Sequence, residues 1–406
     1  MSTFDLDPSD PDRADLHPSD PDGADLDTSD FDGADWVALA GSDGLDVAAL
    51  GRLHGHFGSA AAARAAITGR DDTVAEMLAP SARAAAAATC RRHDAGEVHL
   101  WIREHGAHLV VGDTPEWPRR LVSEEHWVPA LTVRGSLAPD APVVAIVGMR
   151  RCSHAGASYA RSLAAELAEA GVSIVSGLAF GIDAAAHRGT LDVGGHTVAV
   201  LAGGLARVSP RAHLSLAGDV VATGGALVSH VPPRCDSPGW RFPVRNRIIA
   251  GIADVVVVVE AAAAGGALST ARHARDLGRP VLAVPGYPWA PTSAGTCALL
   301  RDGAELCCGA DDVLVALGLA RAGRPRAHPD SAVAGIPVGL DPFAAALLAA
   351  VDHTPTSIED VARRVDRPLV DVLRGLGGLE LDGHVEFPQP STVVRPPPAR
   401  QPGGGP

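Results

Sequence analysis

The sequence predicts an α/β protein built on a doubly wound parallel sheet, with a small helical domain before it and a winged-helix domain after it. Between residues 141 and 310, short apolar runs alternate with segments of helical periodicity. The runs are apolar at every position, which is typical of strands buried on both faces. Strand–helix alternation of this kind indicates parallel strands in one sheet, with helices on both faces.

The sheet domain is predicted over residues 109–318. Its strands are predicted at VVAIVG, VSIVSG, TVAVLAGG, ALVSH, DVVVVVEA, PVLAVPG and AELCCG, in that order. The helices between them are predicted over 157–170, 182–190, 210–217, 244–253, 267–277 and 294–302. The first part of the domain, 109–140, is predicted to be a connector with one or two strands.

The first 36 residues are an acidic tail with a repeated theme of Asp, Pro, Ser and Ala. They hold twelve Asp and one Arg, and this composition predicts disorder. The tail carries most of the net charge of −14, whereas residues 141–310 hold fourteen Arg against eleven acidic residues. The net charge therefore does not exclude a nucleic-acid partner. Two interpretations of the tail remain: a solvating segment, or a nucleic-acid mimic that competes for a basic groove.

Two smaller domains flank the sheet domain. Residues 37–108 are rich in Ala and predict helices over 45–55, 59–68 and 73–105, in a domain of the SAM or helix-hairpin-helix type. After a linker over 319–340, residues 341–390 predict three helices and a short strand, a winged-helix pattern. Thr356 and Glu359 have the spacing of a capping box. Residues 391–406 predict a second disordered tail.

Several classes of protein are disfavoured by composition. No uninterrupted apolar run is long enough to predict a membrane span, and the acidic N-terminus does not resemble a secretion signal. The six Cys lack CxxC spacing, which favours reduced thiols in a cytoplasmic protein over disulfides or zinc ligands. The seventeen His show no metal-binding frame, so neither a metal nor another cofactor is expected.

The first predicted ligand-binding loop is Gly148-Met149-Arg150, which follows the first parallel strand. The next helix start is expected to offer free N–H groups to a phosphate, and Arg150 adds a forked cation. The loop is not a dinucleotide fingerprint, because GxGxxG and an acidic ribose ligand are absent. It is not a Walker A loop either, because the chain contains no Lys.

Two further segments carry candidate side chains. Ser176, Gly177, Phe180, Gly181 and Asp183 follow the second strand, with His187 one turn later. Asp183 and His187 suit a capping and packing pair better than an acid–base pair, because no nucleophile accompanies them. The segment from Arg241 to Arg247 is strongly basic and begins a helix. Its arginines suit phosphates and Phe242 suits base stacking, although a solvated helix start with internal ion pairs has the same composition.

Gly and hydroxyl residues continue along the same edge of the predicted sheet. They are Gly266, Thr270, Gly286, Ser293 and Gly295. Because each follows a strand, the set outlines a long groove rather than one compact pocket.

In succession, VAIVGMR, SGLAFGIDAAAH, GGHTVAVLAGGL, FPVRNRIIAG, VVVVVEA and GRPVLAVPG resemble the DprA/Smf family of DNA-processing proteins. The resemblance implies an extended Rossmann-like sheet with the two flanking domains. It also implies a homodimeric, non-catalytic protein that binds single-stranded DNA and helps load RecA recombinase during transformation or recombination. The resemblance implies that Arg150, Arg245 and Arg247 hold the phosphates. With the loop residues at the carboxyl edge, the predicted DNA-binding set is Arg150, Ser176, Gly177, Phe180, Gly181, Phe242, Arg245, Asn246, Arg247, Gly266, Thr270, Gly286, Ser293 and Gly295. The sequence departs from the family pattern at Met149, His230 and Cys297.

Two alternative functions remain at this stage. The first is a nucleotide or nucleoside-phosphate hydrolase resembling the lysine-decarboxylase-like (LOG) proteins, but the Glu expected after their glycine-rich turn is absent here. The second is a transcription regulator that uses the winged helix. Its predicted recognition helix carries Arg367 and Arg374 but also Asp371 and Glu380, so a protein-contact or dimerisation role fits that domain somewhat better.

Overall fold

The computed structural model describes two stretches of the chain, residues 28–319 and residues 340–395. Within them, residues 70, 113, 119, 122–127, 129, 139 and 352–354 are not described. Most of the predicted acidic tail, the predicted linker and the end of the C-terminal tail therefore lie outside the described residues. Both interpretations of the acidic tail stay predictions.

Six helices form the N-terminal part of the described chain. They are α1 (Thr28–Ala40), α2 (Val47–Phe57), α3 (Ala60–Thr68), α4 (Thr73–Met77), α5 (Pro80–Thr89) and α6 (Ala95–Glu104). The single helix predicted over 73–105 is wrong, because this stretch contains three helices. Pro80 begins α5, where its missing N–H leaves no hydrogen bond unmade. Asp94 begins α6 by accepting from the amides of Gly96 and Glu97.

Helix α1 corrects the predicted boundary of the acidic tail. The tail is predicted to end at residue 36, but α1 begins at Thr28. Ala34, Trp36 and Val37 are buried, so apolar contacts offset the entropy cost of ordering an Asp-rich segment. The composition of the segment hides these contacts because Asp dominates it.

Nine strands form the large sheet. They are β1 (His108–Val111), β2 (Ala130–Gly135), β3 (Val143–Val147), β4 (Ser173–Ser176), β5 (Thr197–Val200), β6 (Ala226–Ser229), β7 (Val255–Val258), β8 (Val281–Ala283) and β9 (Glu305–Leu306). Their spatial order is β1-β2-β6-β5-β4-β3-β7-β8-β9. Neighbouring strands from β6 to β9 are parallel, while β1 and β2 add an antiparallel edge. The predicted doubly wound, mostly parallel sheet is confirmed.

Seven helices cover the faces of the large sheet. They are α7 (His154–Glu169), α8 (Ile182–Asp192), α9 (Leu214–Ala222), α10 (Arg241–Ile252), α11 (Gly266–Asp276), α12 (Ala294–Arg301) and α13 (Ala310–Ala316). Short 3-10 turns at Arg211–His213 and Pro291–Ser293 precede α9 and α12. Helix α10 begins three residues before the predicted position, which places Arg241 and Phe242 in its first turn.

The strand order reverses beside β3. From β3 the chain winds outward through β4, β5 and β6, and it then returns to the other side of β3 with β7. In doubly wound sheets, the crevice outside the carboxyl ends of the strands at such a reversal is the usual ligand site. Here, the loop from Gly148 to Arg150 follows β3, and Glu260 lies two residues beyond β7.

The N-terminal helices share part of their core with the sheet. Val37 of α1 and Trp101 of α6 belong to the same buried cluster as Ala130, Ala199 and Leu227 on the strands. In addition, the guanidinium of Arg241 is only 2% exposed and donates to the carbonyls of Ala40 and Gly41. A buried cation on α10 is therefore held by backbone oxygens at the end of α1.

The C-terminal stretch contains three helices and a small sheet. The elements are α14 (Pro342–Ala350), β10 (Thr356–Ser357), α15 (Ile358–Val365), α16 (Leu369–Leu381), β11 (Glu386–Gln389) and β12 (Thr392–Val394). The predicted winged helix is confirmed, but its predicted end at residue 390 is wrong, because β12 lies within the predicted C-terminal tail and pairs with β10 and β11. The predicted cap is displaced by one residue, because the Oγ of Ser357, not Thr356, accepts from the amide of Asp360 at 3.0 Å. Over residues 28–319 and 340–395, no helix has both the length and the apolarity to cross a membrane.

Candidate nucleic-acid interface

An arginine and an aromatic ring meet at the carboxyl edge of the sheet. The exposed Arg150 follows β3, and its guanidinium carbon lies 4.7 Å from the centroid of the Phe242 ring on α10. A cation over an aromatic face is attracted by the ring quadrupole, and this attraction restricts the conformations of the long side chain. Arg150 is thus oriented at the surface with its hydrogen-bond donors accessible to solvent.

Arg245, one turn along the same helix, lies beneath this surface. It is 5% exposed and donates to the carbonyl of Val200 at 3.3 Å. Its Nη1 also lies 3.9 Å from Oδ2 of Asp183. Gly177 leaves the space that the guanidinium occupies, since an added Cβ would overlap it. The sequence predicts that Arg245 contacts phosphates at the surface. The structure instead buries its side chain, which the close approach of Gly177 and the ion pair with Asp183 hold inside the protein.

Burial shifts the protonation equilibria of this pair in opposite directions. Desolvation lowers the pKa of Arg245, and the carboxylate of Asp183 partly offsets that effect. Desolvation raises the pKa of Asp183, and Arg245 partly offsets it. Asp183 also accepts from the amide of Ala179 at 3.4 Å. Asp183 therefore holds the loop after β4 in place. From the sequence, this residue is predicted to cap and pack a helix start.

The loop after β4 has a constrained backbone. Leu178 has a φ of 57°, which is uncommon for a residue with a side chain, and Gly181 has a φ of 77°. Nδ1 of His213 is 2.8 Å from the carbonyl oxygen of Leu178, which fixes the loop from the other side. The loop presents Phe180 at 47% exposure, with its ring 4.7 Å from that of His213. Phe180 is therefore accessible for stacking, as predicted from sequence.

The start of α7 does not offer the open phosphate site that the sequence predicts. The carboxylate of Glu260 accepts from the amide of Ser153 at 2.8 Å and from its hydroxyl at 2.6 Å. The Oγ of Ser153 accepts in turn from the amide of Gly156 at 2.9 Å. An internal anion thus occupies the favourable end of the helix dipole. Glu260 can reach Ser153 because the strand order places β7 beside β3, although the two strands are far apart in sequence.

The start of α11 is open by comparison. Gly265 and Gly266 are exposed, and no side chain caps the helix. The side-chain amide of Asn246 and the hydroxyl of Thr270 both donate to the carbonyl oxygen of Gly266, at 3.1 Å and 3.3 Å. These two hydrogen bonds fix the position of the turn and use only its carbonyl oxygen. The first amides of α11 therefore remain available to an anion at the carboxyl edge.

The fourteen predicted site residues divide into an accessible group and a supporting group. Seven are exposed or partly exposed: Arg150, Phe180, Gly181, Phe242, Arg247, Gly266 and Gly286. Seven are buried: Ser176, Gly177, Arg245, Asn246, Thr270, Ser293 and Gly295. The buried residues hold the loops. For example, Ser176 donates to the carbonyl of Ile146 at 2.7 Å, and Gly295 approaches the carbonyl of Ala262 too closely to admit a Cβ.

Arg247 is separated from the Arg150 and Phe242 pair around the axis of α10. Phe242 and Asn246 are four residues apart and share one side of the helix, whereas Arg247 is rotated about 140° from Phe242 around the helix axis, since one turn takes about 3.6 residues. It is partly exposed. The structure therefore brings Arg150, Phe242 and Arg245 together, whereas Arg247 points away from that group.

Sequence reasoning missed three features of this edge. Glu260 fills the start of α7, and the exposed Arg151 adds a second cation beside Arg150. Tyr287 and Trp289, on the loop after β8, are 55% and 80% exposed and stack with centroids 5.4 Å apart. The segment PGYPWAP was the available signal for this pair, because three prolines around two aromatics predict an exposed, rigid turn.

The predicted recognition helix of the winged-helix domain exposes several apolar side chains beside a single arginine, Arg374. Leu369, Val370 and Leu373 are exposed on α16. Arg374 pairs with Asp371 at 3.5 Å, and the guanidinium of Arg367 lies 6.0 Å from the ring of Phe343. This face favours a protein contact over reading of base edges.

Family models match both folded parts of the chain. One described as DNA recombination-mediator protein A covers residues 108–318, and one described as the DprA winged helix domain covers residues 331–387. The first match spans just over half of the chain. The chain belongs to the DprA/Smf family. The resemblance stated from sequence motifs is therefore confirmed, and the family consists of DNA-processing recombination mediators.

Individual DprA/Smf relatives agree with this assignment. Protein Smf of Escherichia coli is 37% identical over 292 residues, covering 70% of this chain and 76% of its own length. DNA processing protein DprA of Bacillus subtilis is 35% identical over 213 residues, covering 52% of this chain and 71% of its own. The solved structure of DprA from Streptococcus pneumoniae superposes with a TM-score of 0.51 at 32% identity, covering 60% of this chain and 85% of that one.

Proposed function

We propose that this DprA/Smf protein binds single-stranded DNA along the carboxyl edge of its large sheet, without chemical turnover. The observation that carries the proposal is the Arg150 guanidinium held over Phe242 at that edge. Arg150 suits a phosphate oxygen pair, and Phe242 and Phe180 suit the faces of unpaired bases. The open start of α11 supplies backbone donors one strand position away, because α11 follows β7 and β7 is the neighbour of β3.

The closed start of α7 favours a groove over a compact nucleotide site. In doubly wound sheets, a mononucleotide phosphate sits at the helix start beside the strand-order reversal. Here, the Glu260 carboxylate holds those donors. A hydrolase of the LOG-like type would instead use the glycine-rich turn before α11, and there the Glu expected after the turn is absent, because Ala271 and Arg272 follow Thr270.

Family membership supports a role in recombination. As a recombination mediator, the protein is proposed to deliver RecA recombinase onto the strand it holds, acting as a homodimer in the cytoplasm. The apolar surface of α16 supports a protein-contact role for the winged helix over a transcription-regulator role. Nucleation of RecA on a bound oligonucleotide, followed by fluorescence with and without this protein, tests the delivery step. Unchanged nucleation would contradict it.

Replacing Arg150 with Ala is expected to weaken binding to any single strand about tenfold, because one charge-assisted phosphate contact is lost. The slope of log affinity against log salt should fall by about 0.7, the value for one phosphate on a single strand. Fluorescence anisotropy with labelled oligonucleotides at several salt concentrations measures both quantities.

The matched control is Arg301→Ala. Arg301 is also exposed, but it lies in the last turn of α12 and therefore near the amino edge of the sheet. It should leave affinity and slope unchanged. Equal effects of the two substitutions would contradict binding at the carboxyl edge.

A further inference from the structure

Tyr287 and Trp289 form an aromatic pair and are the two most exposed aromatic residues in the described part of the chain. Trp36, Trp101 and Trp117 are all buried, whereas Trp289 is 80% exposed. The rings of the pair are 5.4 Å apart, with planes inclined by 27°. Two large apolar rings exposed together mark an interaction site more often than isolated apolar residues do.

The loop that carries the aromatic pair is preorganised. Pro285, Pro288 and Pro291 restrict its backbone. The amide of Ala290 donates to the carbonyl of Tyr287, and the amide of Ser293 donates to that of Ala290, both at 3.0 Å. Gly286 packs so closely on the Ser293 side chain that a Cβ would overlap it. Little conformational entropy remains to be lost when a ligand stacks on the rings.

The aromatic pair is tied to the loop that leads to α11. The amide of Ala261 donates to the carbonyl of Thr292 at 2.9 Å, and the amide of Gly295 donates to the carbonyl of Ala261 at 2.7 Å. Strand β8, which precedes the pair, lies two positions from β3, which precedes Arg150. At the usual strand spacing, this corresponds to about 10 Å along the edge. The pair and the phosphate donors are therefore parts of one continuous edge.

We infer that Tyr287 and Trp289 form a stacking platform for an unpaired base of the same DNA strand that Arg150 holds by its phosphates. This inference rests on the proposed function and extends it to a second base-binding position. Every base has an aromatic face, so the platform would tolerate any sequence. It would not accept a duplex, because paired bases are already stacked on their neighbours. The platform would thus favour single strands over duplex DNA.

The test is Trp289→Ala, alone and combined with Tyr287→Ala, titrated with fluorescently labelled oligo(dT). The expected result is a loss of affinity of about tenfold, with the slope against log salt unchanged because no phosphate contact is removed. The same substitutions should leave binding to an abasic oligonucleotide of equal length unaffected. Trp289→Phe should retain most of the wild-type affinity. The matched control is Leu381→Ala, which removes a 91% exposed apolar side chain elsewhere.

Three results would overturn the platform. The first is unchanged affinity of the double variant for oligo(dT). The second is an equal loss on the abasic strand. The third is a fall in molar mass by sedimentation velocity without a loss of DNA affinity, which would make the pair a contact between two copies of the chain. If Arg150→Ala weakens binding but the aromatic variants do not, only the platform is wrong. If the wild-type protein binds no single strand, the proposed function fails as well.

Discussion

Replacing Arg245 with Ala is expected to lower the free energy of unfolding by about 3–5 kcal/mol, the usual cost of breaking a buried ion pair from one side. The substitution leaves Asp183 buried without its cation and removes a donor to the Val200 carbonyl. It also opens a cavity beside Gly177. Denaturant unfolding monitored by circular dichroism measures the loss.

The control for Arg245 is the double variant Arg245→Met with Asp183→Asn. It removes both charges and keeps similar volumes, so much of the lost stability should return, and the double-mutant cycle should show strong coupling. A loss below about 1 kcal/mol for Arg245→Ala would contradict the buried pair. In that case, the predicted surface role of Arg245 in phosphate binding would regain support.

Acid is expected to destabilise the protein from about pH 6.5 downward because of two buried histidines. His187 is fully buried, with Nδ1 2.8 Å from the hydroxyl of Thr197. His230 is buried near Arg241. Burial lowers the pKa of each to about 3. The unfolded chain therefore binds protons that the folded chain excludes, and the stability is lost progressively as the pH falls from 6.5 toward 3.

At pH 5, each histidine should account for about 2 kcal/mol of lost stability, or about 4 kcal/mol together. Chemical denaturation at pH 7.5, 6 and 5 measures the total. His187→Gln keeps a polar group near Thr197 but does not titrate, so its stability should fall by about 2 kcal/mol less over this range. Identical pH dependence of the wild type and this variant would contradict the exclusion of a proton from His187.

The fold was predictable because its signals are local. Strands such as β3 and β7 are apolar at every position, and this pattern alone indicates a sheet covered on both faces. The errors arose where a local signal was outweighed by tertiary contacts. Helix α1 begins within an Asp-rich segment because Trp36 is buried in the core. The composition of that segment does not indicate this contact.

The position of the candidate site was predictable from the sequence, but not which of its residues are exposed and which are buried. Loops after successive parallel strands meet at one edge, so the sequence predicts that Arg150, Phe180 and Gly266 share an edge, and the structure has them there. Arg245 and Arg247 look equivalent in sequence, but only Arg245 faces Gly177 and Asp183 and is buried. Glu260 reaches the start of α7 only because β7 lies beside β3 in the sheet. The local sequence does not predict this strand order.

The central claim is that the carboxyl edge holds an unpaired strand. The most direct measurement is a titration of the full wild-type protein against matched single- and double-stranded oligonucleotides at two salt concentrations. We expect tighter binding of the single strand at both concentrations, and an affinity that falls with salt at a slope that Arg150→Ala reduces. Equal or tighter binding of the duplex, or a slope unaffected by Arg150→Ala, would contradict it.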